Sequence, residues 1–492
     1  MPPFFRAVAL VLFVFSFSLS AAEVWDGAPY SSDPKELLAA ASAIEPKKPE
    51  DGVIVLLDET IVRFETDGRA TRVERLIFRV LDESAVDGWA TIETSWQPWY
   101  YEHPQVDARV VTADGSVHRL DPKSFGAGDA EDDPDMFSDT RILSGPIPAV
   151  APGAVVEQTI TYRDKNPLRD TGMAARHMFG RWVETRQSRL VLEYPSTLEL
   201  RVSNKSEPRI EPVRSESDGT TRLLFETGPR PALERMEWYV PSEINSRSFV
   251  AWTTGKSWQT VAQRYAEIVD QKIGDLGSVA RATAAAVGDA KDRREKIRRI
   301  LAAIQRDIRY AGVEFGEGSI FPRTPSETLR NKYGDCKDKA TLLVAMLRQA
   351  GIPAHTVLIN SGFGADAEPD LPGLGHFNHV IVLTEGDDPV WIDPTDEFAR
   401  AGELPISDQG RLVLVAKNDT TSLIRTPMDD SRANRTVETR EFWLAEDGKA
   451  RIVETTVYLG NDERTNRRYY NATDTKTLGE QMESYVESAY LS

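Results

Sequence analysis

Hydrophobic positions recur in short, β-prone runs between Val53 and about Val240. These are Ile54–Leu57, Arg72–Val80, Val106–Val111, Val155–Tyr162, Arg189–Leu192 and Arg222–Phe225. The dipeptides Asp67-Gly68, Asp114-Gly115, Pro152-Gly153 and Asp218-Gly219 punctuate them as turns. Short strands at this spacing predict a β-rich, sandwich-like domain over residues 51–245. No repeat of fixed period is evident. The acidic stretch 128–133 reads as a solvated loop. The aromatic run Trp96-Gln97-Pro98-Trp99-Tyr100-Tyr101 reads as core and edge packing rather than a binding surface.

The period changes near residue 255. Trp258, Val261, Tyr265 and Ile268 keep helical spacing, as do Ile297, Leu301, Ile304 and Ile308. Ala280–Val287 between them is helix-prone. Thr324-Pro325-Ser326-Glu327 is a capping box with proline in the first helical turn. Residues 250–425 are therefore read as a mixed α+β core. After residue 430, Val437–Leu444 and Arg451–Leu459 around Asp447-Gly448 predict a hairpin. This opens a C-terminal β domain, 430–492, that is expected to be incomplete at Ser492.

The first 22 residues carry one charge, Arg6, then an apolar run from Ala7 to Leu19 and the small residues Ser20-Ala21-Ala22. That order is a secretory signal, and the run is shorter than the roughly 20 residues that span a bilayer. The expectation is export to a periplasmic or extracellular location, with no stable membrane span after cleavage. No cysteine stands at the cleavage point, which excludes a lipoprotein signal. Residues 23–50 are a short helix and a linker marked by Pro46-Lys47-Lys48-Pro49.

Composition narrows the chemistry. With 59 Lys+Arg against 77 Asp+Glu, the net charge is -18, and no basic block offsets it. Nucleic acid is excluded as a general partner. Cys336 is the single cysteine. One cysteine cannot make an intrachain disulfide, a tetrathiolate zinc site or a CxxC redox pair.

Cys336 lies in Gly334-Asp335-Cys336-Lys337-Asp338-Lys339, followed by the apolar stripe Ala340, Leu343, Val344 and Leu347. Asp335 is a good N-cap, and Gly351 and Pro353 end the helix. The thiol therefore sits in the first helical turn, where free N–H groups and the dipole favour a thiolate. Lys337 and Lys339 add to that field, while Asp335 and Asp338 oppose it.

A thiolate nucleophile requires a base and an orienter for it. Among six histidines, His379 opens the strand Asn378-His379-Val380-Ile381-Val382. A turn at 384–389 leads to Trp391-Ile392-Asp393-Pro394-Thr395. A hairpin centred on Gly386 would set His379 opposite Asp393, and a shift of two would still keep them on one face. His376 and His379, three apart with no further ligands, make no metal site. No metal and no cofactor is expected.

These three segments resemble, in order and spacing, the cysteine, histidine and aspartate segments of the transglutaminase-like superfamily, whose core has the papain-like cysteine fold. The signal, β-rich domain, core and further β domain are similar to a bacterial exported branch whose N-terminal domain has no known function. The resemblance implies acyl transfer through a Cys336 thioester, with His379 as base and Asp393 as orienter. The implied substrate is a peptide or protein amide, including cell-envelope material, cleaved by water or transferred to an amine. No glutamine stands just upstream of Cys336 as a papain-type oxyanion donor. The alternative is a non-catalytic binding or scaffold protein of the envelope. The loop Ser361–Gly375, rich in Gly, Asp and Pro, is the expected lid or specificity element.

Overall fold

The computed structural model describes residues 23–130, 136–165, 171–234, 244, 247–274, 276–362 and 364–491. The signal segment 1–22 and residues 131–133 of the acidic stretch lie outside them.

The β-prone runs of the N-terminal unit pair into one eight-stranded sheet. Its order is Val213–Ser217, Thr220–Thr227, Ser188–Pro195, Val53–Phe64, Ala70–Val80, Val155–Arg163, Gln105–Val111 and Val117–Arg119. Smaller three-stranded sheets accompany it. The alternation expected of half-buried strands is visible in Thr91–Trp96, where every second residue is buried. Trp96 is part of that core, and Trp99 stacks edge-on against Tyr100, so the aromatic run packs on itself. Gly126–Asp129 forms an exposed strand, so the start of the acidic stretch is paired rather than a loop.

Strand Phe249–Thr253 corrects the expected boundary. It lies between Ala174–Met178 and Arg201–Lys205 in a sheet of the N-terminal unit. Residues 250–253, expected to open the core, thus belong to the preceding β layer. The core's first helix begins at Trp258, capped by the Ser257 side chain.

Helices Trp258–Ile273 and Cys336–Gln349 pack on a five-stranded antiparallel sheet, and Gly277–Val287 and Arg293–Asp307 pack against the cysteine helix. Its order is Trp391–Ile392, His379–Thr384, Ala354–Ile359, Leu412–Val415 and Ile424–Arg425. Val261, Tyr265, Ile300, Ile304, Leu343 and Leu347 form one cluster with Val380, Val382 and Leu414 of the sheet. The helix Cys336–Gln349 is buried on every side from Cys336 to Leu347, not along one stripe. It is the central rod of the core, with neighbours all round it.

Two features join the β layer to the core. Gly312–Glu314 pairs in parallel with Met136–Ser138 of the N-terminal unit. The segment 361–375, expected as a lid or specificity element, is held from both units. The Trp258 indole donates to Pro369 O at 2.6 Å, and the Thr253 hydroxyl donates to Pro372 O at 2.5 Å. Leu371 and Leu374 are buried. A segment held this way is a packed strap between the two units, not a free flap.

The C-terminal hairpin forms as Arg435–Trp443 and Arg451–Leu459. It is followed by helices Asn461–Ala472 and Thr475–Val486, which the β pattern did not announce. Among the described residues no helix is long and apolar enough to cross a membrane.

Candidate active site

The cysteine helix starts where its sequence demands. The Asp335 side chain accepts from Asp338 N–H at 3.2 Å, the N-cap bond that one of the free first-turn donors needs. Every charge in the run Asp335–Lys339 is buried, and each finds a partner. Lys337 Nζ donates to Asp335 at 2.5 Å and to Glu314 at 3.1 Å. Asp338 accepts from Arg323, and Lys339 Nζ donates to Ile308 O at 3.1 Å. Asp335 and Glu314 thus offset the Lys337 charge and Arg323 that of Asp338, while Lys339 meets only a carbonyl. Burial pushes the Lys339 ammonium down; burial opposes the Lys337 charge, but Asp335 and Glu314 outweigh it and hold it up.

Cys336 is 9 % exposed, flanked by Tyr265 and Tyr310. Burial and the nearby sulfur push both phenols up, so each keeps its proton.

The hairpin that brings His379 to Asp393 differs in register from the expectation. Val382 faces Ile392 and Leu383 faces Trp391, so the turn centres on Asp387 rather than Gly386. Asp393 is then two positions from direct opposition to His379, and equal parity keeps the pair on one face. The His379 ring donates from Nε2 to Asp393 Oδ2 at 3.2 Å. The other Asp393 oxygen accepts from the Thr395 N–H at 2.8 Å and the Thr395 hydroxyl at 2.7 Å. The Cys336 sulfur lies close enough to the His379 ring to act on its charge.

Burial disfavours a charged His379, but the Asp393 carboxylate and the Cys336 sulfur outweigh it and hold the imidazolium well above its ordinary range. Burial likewise opposes the Asp393 charge; His379 and the Thr395 donors overcome it and pull the carboxyl down. The three residues singled out in the sequence are therefore brought together, with the His379 imidazole between the Cys336 sulfur and the Asp393 carboxylate.

His376 stands apart from them. Its ring meets Leu371 O at 2.6 Å and packs on Trp258, and burial lowers it to about 4. His355 faces Glu385 on the far end of the same strand pair.

Residues the sequence reading missed complete the surroundings. A cavity of about 350 Å3 opens beside the pair, lined by Ser361, Asp396 and Ser407 and closed by Arg464 and Arg468 of helix Asn461–Ala472. A larger cavity, about 600 Å3, lies in the β-rich unit around Asp58, His177 and Trp182 and contains none of the expected site residues. Asp408 is fully buried against His379 and Asp393; ligand atoms of these three lie within 4.8 Å of one another. Both Asp393 oxygens accept hydrogen bonds, from the His379 ring and from Thr395, whereas Asp408 Oδ2 has no donor among the described residues.

Residues 281–382 match the family model of the transglutaminase-like superfamily. Residues 66–234 match a domain of unknown function with a solved structure, DUF3857. A crystal structure from Parabacteroides distasonis, described as a "putative protease", superposes with a TM-score of 0.64 at 13% identity, covering 84% of this chain and 96% of that one. At that identity the likeness speaks for the fold alone. A Cytophaga hutchinsonii protein described as a "putative cysteine protease" covers 75% of this chain and 94% of its own, at 11% identity and a TM-score of 0.22, too low to carry an argument. No curated protein matches the chain significantly. The chain thus carries a transglutaminase-like core behind a DUF3857 domain.

Proposed function

We propose that this chain is an exported, thiol-dependent acyl-transfer enzyme acting on a peptide or amide. The observation that carries the reading is the position of His379, hydrogen-bonded to Asp393 and close to the Cys336 sulfur. A raised imidazolium beside a first-turn thiol favours the thiolate–imidazolium pair that nucleophilic attack needs.

In this reading the Cys336 thiolate adds to the substrate carbonyl. The backbone N–H of Cys336, free at the helix start, faces the developing oxyanion. The C–N bond then breaks as His379 gives its proton to the leaving amine, and a thioester remains. Water or an amine attacks the thioester, passes its proton to His379 and releases the thiol. Asp393 keeps the ring oriented and offsets its charge through both steps. Export rests on the order of charge, apolar run and small residues over 1–22.

The test is the rate of Cys336 alkylation by iodoacetamide against pH, in wild type and in His379→Ala. The single cysteine leaves no competing thiol. Titration well below the roughly 8.5 of a free thiol, lost in the variant, supports an activated pair. A thiol that titrates near that value in both proteins would sink the enzymatic reading in favour of a non-catalytic envelope scaffold.

A further inference from the structure

Asp408 is an acid with too few partners. Its side chain is fully buried, and Oδ2 meets no hydrogen-bond donor among the described residues. Ser361 lies near enough to favour its charged form, and the Ser407 hydroxyl reaches Oδ1 only at 3.4 Å. Asp393, with an oxygen within 4.8 Å of one of its own, has three good donors: the His379 ring and the N–H and hydroxyl of Thr395. Two carboxyls this close in a buried site do not both ionise readily. The better-solvated one keeps the charge, and the proton stays on the poorer one.

We propose that Asp408 is a positioning residue of this site: it shares a proton with Asp393, donates it in a hydrogen bond to that carboxylate, and so holds the His379 ring through its orienter. The inference rests on the Cys336–His379–Asp393 reading above. Three chain segments face Asp408: His379 on its strand, Asp393 past the strand end, and Ser361 after the neighbouring strand. Asp396, Arg464 and Arg468 line the cavity alongside and pair with one another there.

The consequence is a second titration in the thiol's pH profile. Burial, and then the Asp393 charge, push the Asp408 carboxyl up to about 6. Below that point Asp408 O–H steadies Asp393. Above it, a second carboxylate faces His379 and strengthens the hold on the imidazolium.

The experiment compares iodoacetamide alkylation of Cys336 against pH in wild type, Asp408→Asn, Ser361→Ala and His379→Ala. The wild-type profile is expected to show an inflection near 6 besides that of the Cys–His pair. In Asp408→Asn the amide donates at every pH, so the inflection disappears while the thiol stays reactive. In Ser361→Ala the carboxyl loses a neighbour that favours its charge, so the inflection moves upward. Retention of the wild-type inflection in Asp408→Asn overturns the proposal. If that variant does not fold, an unmoved inflection in Ser361→Ala overturns it instead. A profile unchanged by His379→Ala defeats the underlying Cys–His reading, whereas a normal His379→Ala loss with an intact Asp408→Asn inflection defeats this inference alone.

Discussion

Arg323 holds Asp338 by both carboxylate oxygens, with its backbone N–H at 2.6 Å and its guanidinium at 2.7 Å. Asp338 is 1 % exposed and stands in the first turn of the cysteine helix. Its charge is costly: burial, and then Asp335, push its carboxyl up, and Arg323 is what opposes them. Arg323→Ala is expected to cost about 3 kcal/mol near neutral pH, at the low end for breaking a buried pair because the arginine is partly exposed. The loss should shrink on acidification, since a raised carboxyl escapes the penalty by protonating. Hydrogen exchange of the Cys336–Gln349 amides measures both effects.

The His379–Asp393 pair sets a pH window for stability. A raised imidazolium stabilises the fold fully below the unfolded value of about 6.5, and that contribution is lost as pH climbs through the folded value. A lowered carboxyl stabilises above its unfolded value of about 3.9 and is lost as pH falls through the folded one. The pair is expected to stabilise most between those two unfolded values. Asp393→Asn should drop the His379 titration toward ordinary histidine, read by ring resonances in NMR across the six histidines. A titration that stays high in that variant would mean another group holds the charge.

Asp335 does two jobs that substitutions separate. Asp335→Asn keeps an acceptor for the Asp338 N–H but removes the charge facing Lys337. Asp335→Ala removes both, adding about 1 kcal/mol for the lost cap. Urea unfolding should therefore rank wild type above Asp335→Asn and that above Asp335→Ala. Equal midpoints for the two variants would mean the cap contributes nothing.

Gly255 lies where the strap crosses the β layer. A Cβ there would stand 2.1 Å from Pro372 O, a backbone atom that cannot swing aside. Gly255→Ala is expected to cost about 1–3 kcal/mol by overpacking. It should also raise the rate of proteolytic cleavage within 361–375. Cleavage there at the wild-type rate would show that the strap gives way without cost.

Local signals were the legible ones. The Asp335 cap, the Thr324 box and the Trp258 and Ile297 periodicities each act within a turn or two, and each element formed where those residues stand. His379 and Asp393 were readable together because strand parity survives a register error. Asp408 was not readable. It ends the short 3-10 helix Ile406–Asp408 ahead of the strand Leu412–Val415, whose pairing with Val357–Ile359 joins distant parts of the chain. Arg464 and Arg468 were hidden for a similar reason, on a helix whose start has no capping side chain to signal it. The pairing of Gly312–Glu314 with Met136–Ser138 spans some 180 residues and leaves no periodic trace in either strand.

That last pairing bears on modularity. Glu314 sits opposite Ser138 at the end of it, and Glu314 is also the second partner of buried Lys337, beside the thiol. Severing the chain near residue 255 would remove a bordering strand and loosen the carboxylate that steadies the ammonium next to Cys336. The core is thus no interchangeable cassette: a chimaera grafting it onto a foreign N-terminal domain must bring a strand that takes the place of Met136–Ser138, or begin with a disordered nucleophile.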